Sequence, residues 1–458
     1  MNSSSAPASL SLALALGLWS AAASPPNPNA PLLTTITNPT PANYDIFGSA
    51  LAAMGNDRVL IGSEGANEAY LFTLNGTLLT TFSIPDIRAG SFGAALATVG
   101  GNRVVIGAYN YSAGTPPKQT GRAYLFATNG TLLATFTNPA PESVQAFGFS
   151  VAALGDDHVL IGTGGGGPFL FRTNGALETT FTKPGSGTFG SYGTCATAAG
   201  TDRLLIGAPF DPTGAAGAGT AYLFATNGTL LTTFTNPVPA TGDNFGTSVA
   251  VVGTDRLLIS AIDYGGTKGT GGAAYLFSTN GTLLTTFTNP TPAAGDYFGW
   301  SVAAVGRTRV LIGAYQDGTT AFQAGSAYLF DTNGTLLTTI ANPAPASQSW
   351  FGWSVAAAGN DHLIIGGVWN NTGAFRAGSA YVYALPYPPL SISRTADTVS
   401  IGWISPETGL TLQQTDLLGA AAAWGNTTGS VSVYGPTNVV REAITNGFPA
   451  RFYRLARP

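Results

Sequence analysis

The chain has 458 residues, which is room for two or more ordinary domains or for one large repeat array with a small module. Only 9% of the residues are charged, against about 25% in a typical soluble domain, while 44% are hydrophobic. This composition excludes a disordered chain, and the net charge of −4 without a basic run excludes nucleic acid as an expected partner. A single cysteine excludes an intrachain disulfide.

Residues 1–24 are predicted to be an export signal. Leu10–Trp19 is an apolar core, and Ala21–Ala23 offers a small-residue cleavage site, although Lys and Arg are missing from the residues before the core. The alternative is a single membrane anchor, but the apolar run is shorter than the span of about 20 residues that a bilayer needs. We therefore expect a secreted or cell-surface protein with no integral membrane segment after cleavage.

Seven repeats of about 45 to 55 residues follow the signal, and repeats of this length are typical of propellers and other arrays. Each repeat begins with an aromatic residue followed by glycine, and a basic residue or histidine comes 11 positions after the aromatic. In the fourth repeat only Tyr192 keeps that spacing, although Phe189–Gly190 looks similar. The seven aromatic markers are Phe47, Phe92, Phe147, Tyr192, Phe245, Phe298 and Phe351.

Each repeat is predicted to contain four strands, A to D. Strand A is a small-residue run such as Ser301–Val305, as expected for the innermost strand around a channel, and strand B is an aliphatic run such as Arg203–Ile206. Strands C and D form a hairpin such as Ala221–Phe234, whose Asn-Gly predicts a type I′ turn. The Asn-Gly-Thr triplets also match glycosylation sequons, but Asn174 keeps the turn with alanine in place of threonine, which favours the turn as the reason for the asparagine.

The ends of the array predict how it closes. The seventh repeat ends at Ala380–Leu385 without a strand D, while Leu32–Ile36 precedes the first marker as a strand D without a repeat. Ring closure would protect the many strand edges. We therefore predict an all-β fold: a seven-bladed β-propeller over 31–385, closed by the N-terminal strand.

The repeat resembles the FG-GAP repeat of integrin-alpha-type β-propellers. The segments that match most closely are Phe245–Val249 (FGTSV) and Leu204–Pro209 (LLIGAP). The resemblance implies the propeller fold over about residues 31–385. It implies no particular activity, because propellers host unrelated functions.

After a proline-rich linker at 386–389, the repeat pattern is lost. Residues 390–458 are predicted to form a small β-sandwich, which loosely resembles fibronectin- or immunoglobulin-like modules. Its predicted strands are Thr398–Trp403, Leu410–Gln414, Ser430–Tyr434 and Arg451–Leu455.

No catalytic residues, metal ligands or cofactor are predicted. The family resemblance implies a calcium loop between strands A and B, but here that connection is shortened to Gly-x-Asp-Arg, as in Gly55–Arg58, and calcium needs 6–8 oxygen ligands. We interpret its aspartate as a cap of its own turn. His158 and His362 fall on different blades and are interpreted as surface turn residues, and Cys195 as a small inner-strand residue.

The connections B–C and D–A lie at one end of the blades, vary most between repeats and carry most of the loop aromatics. Variable loops on a rigid scaffold are where binding usually occurs, although the aromatics could instead only shield the core. The predicted ligand-binding residues are Tyr109, Tyr264, Tyr297, Tyr315, Trp350, Trp369 and Phe375.

The leading hypothesis is a monomeric, non-enzymatic protein for adhesion, scaffolding or recognition of a protein or glycan. One alternative is a lyase or hydrolase that acts on a carbohydrate or another polymer at the top of the channel, and a purely structural cell-surface protein is another. The enzyme hypothesis requires carboxylates that converge, and its candidates are Asp211, Asp263, Asp296 and Asp317.

Overall fold

The computed structural model describes residues 12–15, 30–84, 90–113, 118–141, 146–185, 191–263, 269–385 and, near the C-terminus, 390–394, 398–404, 411–415, 425–427, 431–434, 437–443 and 450–456. Every regular element within these ranges is a β-strand. None of this described part is a helix long and apolar enough to span a membrane.

Residues Leu32–Ala384 form one compact unit of seven four-stranded antiparallel sheets, the blades of a propeller. In every blade the strand order is A-B-C-D. The A strands are Phe47–Met54, Phe92–Val99, Val151–Leu154, Ala196–Ala198, Val249–Val252, Phe298–Val305 and Phe351–Ala358. The B strands are Arg58–Ser63, Arg103–Ala108, His158–Ile161, Arg203–Ala208, Arg256–Ala261, Arg309–Ala314 and His362–Gly367. The C strands are Glu68–Thr73, Arg122–Ala127, Phe169–Arg172, Thr220–Ala225, Ala273–Ser278, Ser326–Asp331 and Ser379–Ala384. The D strands are Leu78–Phe82, Leu132–Thr137, Leu177–Thr180, Leu230–Thr235, Leu283–Thr288, Leu336–Ala341 and, for the seventh blade, Leu32–Thr37. A further two-stranded hairpin, Ser112–Ala113 with Lys118–Gln119, lies in the B–C connection of blade 2.

The predicted ring closure is confirmed. The N-terminal strand Leu32–Thr37 pairs antiparallel with strand C of blade 7, with Ile36 opposite Ala380. The Ser354 hydroxyl of blade 7 also donates a hydrogen bond of 2.6 Å to the carbonyl oxygen of Gly48 in blade 1. Ile36 is buried in one hydrophobic cluster with residues of blades 7 and 1. The N-terminal strand therefore completes the sheet of blade 7, and a hydrogen bond and a shared core join that blade to blade 1.

Burial follows position in the blade. B strands such as Arg58–Ser63 are buried after their first residue, because neighbouring blades cover both faces. D strands alternate between exposed and buried residues, as in Leu230–Thr235, because they form the outer edge. The marker aromatics are fully buried and contact the aromatic residues of strand C in their own blade, as Phe47 does with Tyr70 at 5.7 Å. The marker and the hairpin motif recur together because the marker ring packs against the aromatic rings of the hairpin's strand C.

Polar side chains join neighbouring blades. The Thr80 hydroxyl on strand D of blade 1 donates a 2.6 Å hydrogen bond to the Thr128 carbonyl oxygen in blade 2, and equivalent threonines do the same in other blades. The guanidinium of Arg58 donates to the Gly101 carbonyl oxygen of the next blade at 3.3 Å. The arginine at the eleventh position therefore links blades, and Arg103, Arg203 and Arg256 donate in the same way.

The hairpin turns lie where Asn-Gly predicts them, but they are not of the predicted type I′. A type I′ turn needs positive φ at both central residues. Here the glycine alone has positive φ, as for Gly228 at 87°, while Asn227 does not. The Gly228 amide donates to the Ala225 carbonyl oxygen and the Ala225 amide to that of Thr229, which makes a type I turn followed by a glycine bulge. The asparagine carbonyl accepts the amide two residues ahead at 3.0 Å, and Asn174 makes the same bond to Ala176, so the turn accounts for the asparagine.

Gly325 gives a direct test of the packing between blades. It has a φ of +84°, and a Cβ there would lie 2.0 Å from the backbone oxygen of Phe351 in the next blade. We expect Gly325→Ala to lower the free energy of unfolding by about 2–4 kcal/mol, because left-handed strain and a backbone clash add together. The matched control is Gly175→Ala, where φ is +93° but nothing lies within 4 Å, and the expected loss is about 1 kcal/mol. Equal losses in urea denaturation would contradict the clash.

The remaining described residues form a second unit, which has two antiparallel four-stranded sheets. One sheet contains Leu390–Arg394, Thr398–Ile404, Thr437–Ala443 and Val431–Tyr434. The other contains Leu12–Ala15, Ala450–Ala456, Thr411–Thr415 and Gly425–Asn426. Both sheets contribute to one hydrophobic cluster that includes Trp403 and Tyr453. Leu12–Ala15 lies inside the segment predicted to be an export signal, and both that signal and the family resemblance of this module stay predictions. The predicted linker 386–389 lies outside the described residues.

Candidate functional site

The site begins with an unusual turn at each marker. The residue before each marker aromatic is not glycine, yet its φ lies between 53° and 77°, and the marker glycine follows in the same left-handed region. The amide two positions beyond the marker aromatic donates back to the carbonyl of the residue before it, as Trp300 does to Tyr297 at 3.0 Å. Because bulky residues seldom adopt positive φ, the interblade bonds must hold this turn. The seven residues before the markers are Ile46, Ser91, Ala146, Ser191, Asn244, Tyr297 and Trp350.

In blades 6 and 7 this turn brings aromatic rings together. Tyr297 and Trp300 flank the marker of blade 6, and Trp350 and Trp353 flank that of blade 7. Tyr315, which follows strand B of blade 6, lies between the two pairs. The ring centroids of Tyr315 and Trp353 are 4.9 Å apart, those of Trp300 and Trp353 4.8 Å, and those of Trp350 and Trp353 5.4 Å.

The cluster continues towards the junction of blades 7 and 1. Trp369 stacks on Trp350, and the guanidinium carbon of Arg376 lies 3.7 Å from the Trp369 ring centroid. Both faces of Trp369 are therefore covered by protein. Phe375 and Tyr44 come next, with ring centroids 5.3 Å apart, and these two rings are 46% and 53% exposed. We call Tyr297, Trp300, Tyr315, Trp350, Trp353, Trp369, Phe375, Arg376 and Tyr44 the aromatic surface.

Most predicted ligand-binding residues lie on this surface, namely Tyr297, Tyr315, Trp350, Trp369 and Phe375. Tyr109 lies elsewhere: its ring is 4.9 Å from that of Phe149, and its hydroxyl donates to Glu64 at 2.7 Å. Tyr264 lies outside the described residues. The predicted set left out Trp300, Trp353, Tyr44 and Arg376. The signal that could have found the two tryptophans is their fixed place two positions after the marker aromatic.

The loop carboxylates are buried rather than exposed. Asp211, Asp263, Asp296 and Asp317 are between 1% and 4% exposed. Asp317 accepts hydrogen bonds from the amide and hydroxyl of Thr319 and from the Tyr328 hydroxyl, all within blade 6. Asp211 accepts the corresponding bonds in blade 4 and also pairs with Lys183 at 2.6 Å. The sequence identified these residues as loop acids, but their partners show that they hold the loops in place.

Asp296 and Asp317 line one cavity of about 450 Å³ in the loops of blade 6. One Asp296 oxygen accepts from the Asn289 amide and the Ala293 backbone amide at 2.8 Å each. Burial, together with the charge of Asp317, raises the pKa of Asp296 above its usual value. The exposed ring of Phe322 forms another part of the wall.

The other predicted polar positions serve local structure. Asp57 in the A–B turn lies 3.5 Å from the Arg58 guanidinium and is mostly exposed, so its side chain pairs with arginine instead of capping the turn. His158 pairs with Asp157 and Glu178, both at 2.7 Å. Burial raises the pKa of the Cys195 thiol to about 11, which keeps it protonated at neutral pH. No group of three or more potential metal-ligating side chains occurs among the residues that the structure describes.

The sequence model of the FG-GAP repeat matches residues 231–277, 285–330 and 340–383. The chain carries FG-GAP repeats. Each matched window begins at or near strand D of one blade and ends in strand C of the next. The propeller as a whole follows the same order, because it begins with strand D of blade 7 and ends with strand C of that blade. The first four blades have the same strand order and the same turn at the marker.

Solved structures of known proteins share the fold of the FG-GAP propeller. The structure of U3-55K aligns with a TM-score of 0.55 at 12% identity, covering 78% of this chain and all of that one. Streptogramin B lyase aligns with a TM-score of 0.55 at 11% identity, covering 77% of this chain and 97% of that one. No curated protein sequence matches the chain. At these identities the likeness concerns the fold alone.

Proposed function

We propose that this FG-GAP propeller is a secreted or cell-surface recognition protein without enzymatic activity, which binds a glycan or protein through the aromatic surface. The observation that carries the proposal is the concentration of aromatic side chains in blades 6 and 7. At the same turn, the other blades mostly have small or polar residues, such as Ser91 with Ala94 and Asn244 with Thr247. Packing under the loops does not require the large rings, since five blades form the turn without a tryptophan.

The aromatic surface is suited to binding because it is rigid and partly exposed. Its backbone is fixed by hydrogen bonds between neighbouring blades, and its rings contact one another, so little conformational freedom is lost when a ligand binds. Aromatic residues and arginine are enriched among the residues that dominate binding energy. The exposed rings of Phe375 and Tyr44 are the part of the surface that a ligand can reach most easily.

The enzyme alternative is favoured by one feature, the pair of carboxylates in the cavity of blade 6. It is disfavoured by the hydrogen bonds that these carboxylates already accept, since Asp317 accepts them through both oxygens and Asp296 through one. A general base must reach a substrate proton with a free lone pair. We therefore prefer recognition over catalysis.

Binding to a glycan and peptide array tests the proposal. We expect at least one ligand whose apparent affinity falls about tenfold or more in Trp369→Ala, since this change removes the ring between Trp350 and Arg376. The matched control is Phe210→Ala in blade 4, a ring that is 49% exposed on the same face but outside the aromatic surface. The absence of any ligand, or equal binding by both variants, would contradict the proposal.

A further inference from the structure

Arg376 is the cation of the aromatic surface. Its guanidinium carbon lies 3.7 Å from the ring centroid of Trp369, 5.1 Å from that of Phe375 and 5.7 Å from that of Tyr44. A guanidinium over an aromatic face is attracted by the ring electrons and stays in one orientation. The rings therefore fix the position of this charge.

The loop that carries Arg376 is held by its backbone. The Arg376 amide, at a φ of 55°, donates to the Asn371 side chain at 2.8 Å, and its carbonyl oxygen accepts the Ile46 amide at 3.3 Å. The Phe375 carbonyl oxygen accepts the Tyr44 amide at 2.9 Å. These bonds join blades 7 and 1 and leave the side chains of Phe375 and Tyr44 exposed. None of these bonds uses the polar edge of the Arg376 guanidinium.

Among the residues that the structure describes, no carboxylate lies within ion-pair distance of Arg376. The acid nearest to Tyr44 in the sequence, Asp45, is buried and accepts hydrogen bonds from Asn38 and the Ala42 amide instead. The loops of blades 6 and 4 have Gln323 and Gly217 at the corresponding left-handed position, so blade 7 is the one of these three blades that carries a cation there. A fixed cation beside exposed rings suggests an anionic ligand.

We propose that Arg376, Phe375 and Tyr44 bind the acidic sugar units of an anionic polysaccharide, an inference that rests on the proposed recognition function. A carboxylate or sulfate group accepts two parallel hydrogen bonds from the guanidinium, and the C–H face of the sugar ring packs against the exposed aromatic rings. Uronate and sulfated sugars share this chemistry. An acidic peptide fits less well, because it shares the acidic group but lacks the C–H face of a sugar ring that would pack against the exposed rings of Phe375 and Tyr44.

The test measures binding of the full chain to a polyuronate, a sulfated glycan, neutral dextran and polyglutamate by calorimetry in low salt. We expect binding to the polyuronate if the site accepts a carboxylate, or to the sulfated glycan if it accepts a sulfate. We expect little binding to dextran. Arg376→Gln should weaken that binding about tenfold or more, and Arg376→Lys should do so by less, because it keeps the charge but loses the planar pair of donors. Thermal unfolding of each variant controls for folding.

The matched control is Arg122→Gln. Arg122 lies 3.8 Å from the ring centroid of Tyr111 in blade 2, so it has the same type of contact at a different place, and its replacement should leave the affinity unchanged. Dextran binding equal to polyuronate binding, no effect of Arg376→Gln, or binding to polyglutamate alone would overturn the inference. If an array ligand is lost in Trp369→Ala but not in Arg376→Gln, the recognition function stands and the acidic-sugar inference falls. If no ligand is found at all, both fall.

Discussion

A chain that begins at Asn38 is expected to lose the cooperative unfolding of the propeller. The deletion removes five residue pairs between Leu32–Thr37 and strand C of blade 7 and takes Ile36 out of the core between blades 7 and 1. Together these losses cost about 5 kcal/mol or more, which for a unit of this size corresponds to a fall of about 7 °C or more in the midpoint of thermal unfolding. The exposed edge of strand C should also promote aggregation.

The matched control is a chain that begins at Pro31, which lacks the same upstream residues but keeps the closing strand. A synthetic peptide of residues 31–38, added to the shorter chain, should restore the midpoint by adding the missing strand. The same peptide with Ile36→Asp should not, because it would bury a charge between the blades. Equal midpoints for the two chains, measured by circular dichroism, would show that closure by this strand is dispensable.

Replacing Lys183 with methionine is expected to be the most destabilising single substitution considered. Lys183 occupies the position after strand D that is asparagine in most other repeats, and its amine lies 2.6 Å from Asp211. The two side chains are only 14% and 3% exposed. Breaking a buried ion pair leaves a buried charge without compensation and costs about 3–5 kcal/mol.

The effect of Lys183→Met should depend on pH. Burial favours a raised pKa for Asp211, but the bonds from Lys183 and Thr213 outweigh it and hold that pKa below its usual value. An aspartate whose pKa is lower in the folded state than in the unfolded state stabilises the fold when the pH is above its unfolded pKa of about 3.9. This stabilisation is lost as the pH falls through the folded pKa. The loss in the variant should therefore be largest near pH 7 and should shrink as the pH falls below about 3.9 towards the depressed folded pKa, where folded Asp211 becomes protonated.

Urea denaturation at pH 7 and at pH 3.5 measures this difference. The control is Arg172→Met, because the Arg172–Glu178 pair is 49% and 30% exposed and its loss should cost about 1 kcal/mol or less. The double variant Lys183→Met with Asp211→Asn should recover part of the stability, since it removes the uncompensated charge. A single variant as stable as the exposed-pair control would mean that the buried pair contributes little.

The comparison of sequence and structure is sharpest at the hairpins. Asn-Gly located every C–D turn, because glycine is the residue that adopts positive φ at the least cost. It did not decide the turn type, since asparagine can either adopt positive φ itself or accept an amide two residues ahead, and Asn227 does the latter. Both conformations are compatible with the same two residues, so the pairing of the strands on either side selects one.

The sequence alone determined the seven blades, the strand order and the closing strand, because those features depend on repeated local patterns of apolar residues and turns. Tertiary structure decided which side chains meet. It buried the loop aspartates that looked available for chemistry, and it placed Arg376 of blade 7 beside Tyr44 of blade 1. Residues so distant in sequence become neighbours only when the ring closes, and no local pattern encodes which of their side chains then come into contact.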